Sequence, residues 1–250
     1  MAKLFHFGLL SAVLLAAIPG LQAQDDPGQE RAPRIEFVDH SLRVNLDPGN
    51  RSIRVTDTMT LPANYFGRVM TFDLNSNLTI ASSSIPIQRL SFQASSAAPA
   101  LNNAGVDGAG VTTYGVDLGN VQSSANFTLT YEGVIYDLAE QNSTEYAQSF
   151  AETAGIISEQ GVFLSGASAW LPRFNEELIQ FLLTVDFVPG YENWSVITQG
   201  EKGLTTTISP TATQQSEVWR VSTPTEEAHL IAADFTIYSQ FSNDIEVLAY

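Results

Sequence analysis

Apolar residues recur at every second position through most of this chain. Leu42, Val44 and Leu46 alternate with polar neighbours, as do Ile53 and Val55, then Met70, Phe72 and Leu74, and later Phe127, Leu129 and Tyr131. That period sends successive side chains to opposite faces of an extended backbone, so each run reads as a half-buried strand and not as an amphipathic helix. Asp47-Pro48-Gly49-Asn50 supplies turn residues between the first two runs and predicts a hairpin over residues 41–61. Further strands are expected at residues 78–81, 87–93, 111–118, 161–164, 179–188, 194–199, 204–208, 218–222 and 230–238. Residues 94–110 read as a solvated loop, and residues 139–157 form the one helix-compatible insertion. About a dozen short strands with almost no helix imply an all-β chain, a β-sandwich or barrel.

The amino terminus has to be set aside before that fold is considered. Lys3 provides a positive start, residues 9–18 a short apolar stretch, and Leu21-Gln22-Ala23 a small-residue cleavage site before Gln24. A membrane span needs about 20 apolar residues, and Pro19-Gly20 interrupts this run earlier. The expectation is a signal peptide over residues 1–23, cleaved between Ala23 and Gln24, and therefore a periplasmic or extracellular protein. Residues 24–34 mix Asp, Gly, Gln and Pro without periodicity and read as a linker.

Charge and cysteine usage narrow the partners. The formal net charge of −16 repels phosphate backbones and anionic lipid, which argues against nucleic-acid and membrane-surface roles. With no cysteine there is neither a disulfide nor thiolate chemistry. Five Asn-x-Ser/Thr sequons, at Asn50, Asn77, Asn126, Asn142 and Asn193, matter only in a eukaryotic secretory route.

The search for catalytic groups returns mostly negatives. His6 leaves with the leader, and neither His40 nor His229 has metallopeptidase spacing; both read as polar positions at strand starts. Gly166-Ala167-Ser168-Ala169-Trp170 lacks the second glycine of a nucleophile elbow. Glu159, Glu176, Glu177, Glu226 and Glu227 could in principle pair for acid/base work, although adjacent acids at strand junctions are usually solvated. Trp170, Trp194 and Trp219 could form a sugar platform but read first as core. No catalytic or metal-ligating set is expected within the chain.

Several blocks together resemble a known family. Trp170-Leu171-Pro172-Arg173-Phe174-Asn175-Glu176 is followed by Phe181-Leu182-Leu183-Thr184-Val185, by Pro189-Gly190-Tyr191, and by a run from Trp194 to Gly200. This order is similar to the W/F-P-x-F-D-E segment, F-x-L-x-V strand, V-P-x-G-Y turn and W-x-x-x-S-N-G strand end of aminopeptidase N-like zinc metallopeptidases. Thr223-Pro224-Thr225 through Leu230-Ile231-Ala232-Ala233-Asp234-Phe235, the strand from Ile245 to Tyr250, and the opening His40-Ser41-Leu42-Arg43-Val44 add to the likeness. The resemblance covers most of residues 35–250.

It implies a saddle-like β-sandwich at residues 35–250, truncated before a helical catalytic domain carrying G-x-M-E-N and H-E-x-x-H. Zinc would be expected only with that domain. The sandwich would help wall the cleft of a peptide substrate, and a Gln or Glu before the W/F-P segment would hold the substrate's free amino end. Counting back from Pro172 puts those positions at Gly161 and Phe163, so the nearest candidates are Glu159 and Gln160. Asn175 stands where the family has Asp, and the Lys after it is missing. The competing expectation is a free-standing envelope β-sandwich that binds glycan or protein ligands through loop-end aromatics.

Overall fold

The computed structural model describes residues 36–93, 110–122, 125–137, 153–174, 178–203, 206–207, 215–243 and 245–249. The expected signal cleavage at Ala23 and Gln24, the linker, most of the loop at 94–110, and Glu176 and Glu177 lie outside the described residues. In chain order the strands are β1 (Phe37–Asp47), β2 (Ser52–Thr60), β3 (Val69–Asn75), β4 (Leu78–Ser83), β5 (Ile87–Gln93) and β6 (Val111–Asp117). They continue with β7 (Phe127–Val134), β8 (Gly155–Ser158), β9 (Gly161–Leu164), β10 (Leu178–Phe187), β11 (Ser195–Ile197) and β12 (Glu201–Lys202). The last are β13 (Thr206–Thr207), β14 (Gln215–Thr225), β15 (Leu230–Ala233), β16 (Tyr238–Ser242) and β17 (Ile245–Ala249). The helical content of the described residues is confined to two short 3-10 turns, Ala63–Tyr65 and Gly166–Ser168. The chain is an all-β sandwich, as its alternation predicts.

One eight-stranded sheet dominates, ordered β12-β14-β10-β1-β2-β7-β4 with β13 also on β14. Its centre contains a parallel pair: β1 runs beside β10 from Phe37↔Leu178 to Leu46↔Phe187. A parallel pair needs a long crossover, and here the chain between Asp47 and Leu178 builds β2 through β9 before returning. Two smaller sheets, β3-β6-β5 and β11-β15-β9-β8, contribute to the same hydrophobic core. Val38, Leu42, Val44 and Leu46 of β1 belong to that cluster together with Phe72 of β3 and Leu164 of β9, and the Phe72 ring lies 6.0 Å from Phe127 of β7. Among the described residues, β16 and β17 pair only with each other.

The other face of the large sheet is polar. Thr56 and Thr58 pair with Thr130 and Thr128 across β2 and β7, and Arg54 reaches Glu132. Arg54 and Glu132 are 57% and 49% exposed, so water already solvates both ends of this ion pair. Arg54→Ala is expected to cost less than about 1 kcal/mol, a loss that shrinks further in high salt when urea midpoints are compared.

Three expectations change. The insertion at 139–157 does not end as helix: Gly155–Ser158 is strand β8, paired with β9 across the two-residue turn Glu159–Gln160. The β-branched pair Ile156-Ile157 favours that extended pairing, with Ile157 buried. The run at 230–238 is two elements, β15 and β16, separated by residues 234–237, which belong to no strand. The third change concerns His40, which is not a polar strand start. It sits inside β1 on the core face, 1% exposed, and its Nδ1 lies 2.8 Å from Oδ2 of the fully buried Asp57 on β2. His40 shares its row with Val38 and Leu42, and Asp57 shares one with Val55 and Met59, so strand geometry forces both inward.

Tyr131 of β7 adds a third polar group to this core. Burial and then the nearby Asp57 carboxylate push its phenol well above the usual value of 10.0. The folded chain therefore holds the Tyr131 proton where the unfolded chain releases it. Its contribution is fully present below about pH 10 and is lost as pH rises towards the folded value. Tyr131→Phe is expected to flatten the fall in stability above pH 10, read from urea midpoints across pH. At pH 7 it removes a buried hydroxyl that has no hydrogen-bond partner among the described residues, so little or no loss is expected there.

Candidate functional site

The sequence candidates Glu159 and Gln160 occupy the turn between β8 and β9, where both are exposed. The turn is fixed by Ser158, whose hydroxyl donates to the Gly161 carbonyl at 3.1 Å and accepts the Gln160 N–H at 3.3 Å. Three connections come together at this end of the sheets. Asp47 and Gly49 arrive from the β1–β2 turn, Tyr191 from the loop after β10, and Glu159 from the β8–β9 turn. Burial, then the Glu159 and Asp47 carboxylates, raise the Tyr191 phenol above its usual 10.0, against the lowering effect of a hydrogen bond from the Gly49 backbone. Tyr191 stands edge-on to Trp194, 4.9 Å between centroids and 84° between planes, and Trp194 contacts Phe187 at 5.9 Å.

This arrangement can attract a cation: two carboxylates flank a phenol and an indole. Asp47 is also the anchor of its own turn, accepting from the Asn50 backbone at 3.0 Å and side chain at 2.7 Å. The strand positions matched by counting back from Pro172 carry no polar side chain, since Gly161 opens β9 and Phe163 faces Ile156 and Ile231 across it.

The Trp170-to-Phe174 block lies past the other end of β9 and has a structural task. Trp170 is 1% exposed, and its indole N–H donates to the Ala228 carbonyl at 3.0 Å. Asn75 of β3 donates its backbone N–H to the Ala169 carbonyl and its side chain to the Ser168 carbonyl, at 2.8 and 2.7 Å. Asp73 and Arg173 exchange two backbone hydrogen bonds of 2.9 Å, and Phe174 packs against Phe72 and Tyr65. The block thus fastens the β9 region to β3. Trp219 is buried as well, so two of the three tryptophans belong to the core.

Other candidate groups are separated. Glu227 accepts the Gly166 N–H at 2.9 Å and lies 3.0 Å from His229 Nε2, at the opposite end of β9 from Glu159. Ser168 is buried and donates its hydroxyl to the Ser165 carbonyl at 2.7 Å. Among the described residues no group of three His, Asp or Glu side chains is placed to hold a metal ion. Nor is any helix among them long and apolar enough to cross a membrane.

No family model matches the sequence, and no curated protein does. Solved structures do. An M1 zinc metallopeptidase from Deinococcus radiodurans, in a substituted form bound to a Tyr-Ser-Ala substrate, matches 87% of this chain with 48% of its own at 13% identity and a TM-score of 0.52. An aminopeptidase N family protein from Idiomarina loihiensis matches 84% of this chain with 32% of its own, at 11% identity and a TM-score of 0.49. Legionella pneumophila aminopeptidase A in complex with aspartic acid matches 86% with 23%, at 12% and 0.48. This chain spans less than half the length of each. Its fold is that of the N-terminal domain of M1 aminopeptidase structures, in line with the resemblance carried by its sequence blocks.

Proposed function

We propose that this chain is the β-sandwich domain of an exported zinc metallopeptidase of the aminopeptidase N type, forming one wall of a cleft for peptides. The observation that carries the reading is the fold shared over 87% of this chain with about half of the Deinococcus enzyme. Support also comes from Tyr238 and Val247, which share one face of the β16–β17 hairpin, are 69% and 54% exposed and would suit the surface that a catalytic domain covers. In this reading the zinc ligands belong to that domain, where bound zinc would supply Lewis-acid activation of water and carbonyl. The residues of this chain contribute shape and negative charge, with Glu159 and Gln160 offered to the amino end of a peptide.

The test uses the polypeptide encoded by the complete reading frame. Expected are zinc binding, chelator-sensitive hydrolysis of an aminoacyl p-nitroanilide, and a raised KM with unchanged kcat for Glu159→Gln. A frame that closes directly after Tyr250, or a full-length protein that neither binds zinc nor cleaves, overturns the reading in favour of a free-standing binding domain.

A further inference from the structure

The polar face of the large sheet is hollowed beside the β1–β2 turn, where a depression of about 310 Å³ is lined by exposed and half-buried side chains. Strand pairing builds its floor as two rows. Asn45, Arg54 and Glu132 stand opposite one another across β1, β2 and β7, and Asp47, Ser52 and Val134 form the next row towards the turn. Residues paired in this way project on the same side of a sheet. Neighbouring strands lie about 4.8 Å apart and alternate residues about 6.8 Å apart along a strand, so the six positions cover roughly 10 by 7 Å. That is the footprint of one six-membered sugar ring with its hydroxyls. The volume falls at the lower end of the range of small-molecule sites, about 300–1,000 Å³.

The hydrogen-bonding groups left over decide what fits. Arg54 and Glu132 hold each other and are both solvated, which leaves guanidinium N–H groups to donate and a carboxylate oxygen to accept. The exposed Asn45 amide and the Ser52 hydroxyl, each both donor and acceptor, make no side-chain hydrogen bond among the described residues. Asp47 is committed to its turn, its two oxygens accepting from the backbone and side chain of Asn50 at 3.0 and 2.7 Å. Asp47 and Glu132 outnumber Arg54, so an anion is repelled, while a cation meets Arg54 and two carboxylates that already have partners. Val134, 45% exposed, and Val188 add aliphatic surface. A neutral ring with hydroxyls around its edge and C–H groups on its faces matches all of these, because adjacent hydroxyls can pair with a planar fork such as a guanidinium.

We propose that this depression is a binding site for a neutral pyranose sugar, whose hydroxyls pair with Asn45, Arg54 and Glu132 while its C–H groups rest on Val134 and Val188. The proposal does not depend on the peptidase reading, and its failure would leave that reading untouched. The test is a titration of the full chain with D-glucose, D-galactose and D-mannose, followed by the side-chain amide resonances of Asn45 and the Nε–H resonance of Arg54. The uronic acid and the amino sugar of the hexose that binds best serve as its charged counterparts. Expected is a saturable shift with at least one neutral hexose and weaker binding of both charged forms. The methyl glycoside of that hexose separates two sources: retained binding assigns the end of a glycan chain, lost binding a free sugar. Arg54→Ala, expected to stay folded, and separately Asn45→Ala should each weaken binding by a factor of about ten, the effect of losing a hydrogen bond at the site. Thr58→Val, two rows away on the same face, should leave it unchanged. No saturable shift with any of the three hexoses, tighter binding of the uronic acid or the amino sugar, or an affinity that survives both Arg54→Ala and Asn45→Ala overturns the proposal.

Discussion

Asp57→Ala should destabilise the fold by about 1–3 kcal/mol, the usual cost of leaving a buried polar group without its hydrogen-bond partner. Asp57 is completely buried and His40 is 1% exposed, so neither can turn to water for a replacement partner. The substitution leaves His40 Nδ1 without its 2.8 Å contact, beside an Nε2 that has no partner among the described residues either. It also opens space between β1 and β2, the central hairpin of the large sheet. The pair is itself incompletely satisfied, since Asp57 Oδ1 is buried without a partner among the described residues. Replacing both residues, His40→Leu with Asp57→Leu, should therefore recover most of the loss or exceed the parent's stability, because hydrophobic side chains of similar volume remove both desolvation terms. Urea denaturation of the two single variants and the double variant measures this directly. A single-variant loss below about 1 kcal/mol would mean that water reaches the pair. A double variant as unstable as Asp57→Ala would mean that the polar contact sets the register of β1 on β2.

Much of the sandwich is legible because burial on one face of a strand writes itself into alternate residues. The rows of β1, β2, β3 and β7 are visible in the sequence for that reason, and so is the first hairpin. The parallel neighbour of β1 is not, because nothing local in residues 37–47 encodes a partner at 178–187. Turn residues also mislead in detail: at the first hairpin the left-handed position falls on Arg51, with φ 57, and not on the glycine of Pro48-Gly49. His40 and Asp57 show the opposite case. Each occupies a position where its strand's alternation demands an apolar residue, and that mismatch is the signal by which the buried pair could have been found. β16 carries no such pattern, since Tyr238–Ser242 is exposed at every position. Counting along a motif points to Glu159 and Gln160, and the structure sets Glu159 beside Tyr191 and Asp47, residues too distant in sequence for spacing to connect.

The last glycine of the Trp194-to-Gly200 run has a physical requirement that a second substitution isolates. Gly200 has φ +89, and a Cβ built there would lie 2.2 Å from the Arg220 carbonyl oxygen and 2.7 Å from Val221 Cγ2. The oxygen belongs to the backbone of β14, which pairs with β10 at Leu182↔Arg220 and with β12 at Glu201↔Arg220, so it cannot withdraw without disturbing a ladder. Gly200→Ala is expected to cost about 1–2 kcal/mol for the left-handed backbone and a further 1–3 kcal/mol for the overlap. Gly190 supplies the control: its φ is +103, but a Cβ there has nothing within 4 Å. Gly190→Ala should therefore show the conformational part alone. Urea midpoints give the two losses, and hydrogen exchange at Arg220 and Val221 should quicken only in Gly200→Ala. Equal losses, with exchange in β14 unchanged, would mean that this position needs glycine for its dihedral angle only. A larger loss at Gly200 would explain why glycine stands directly before β12: the backbone of β14 at Arg220 and Val221 leaves no room for a side chain.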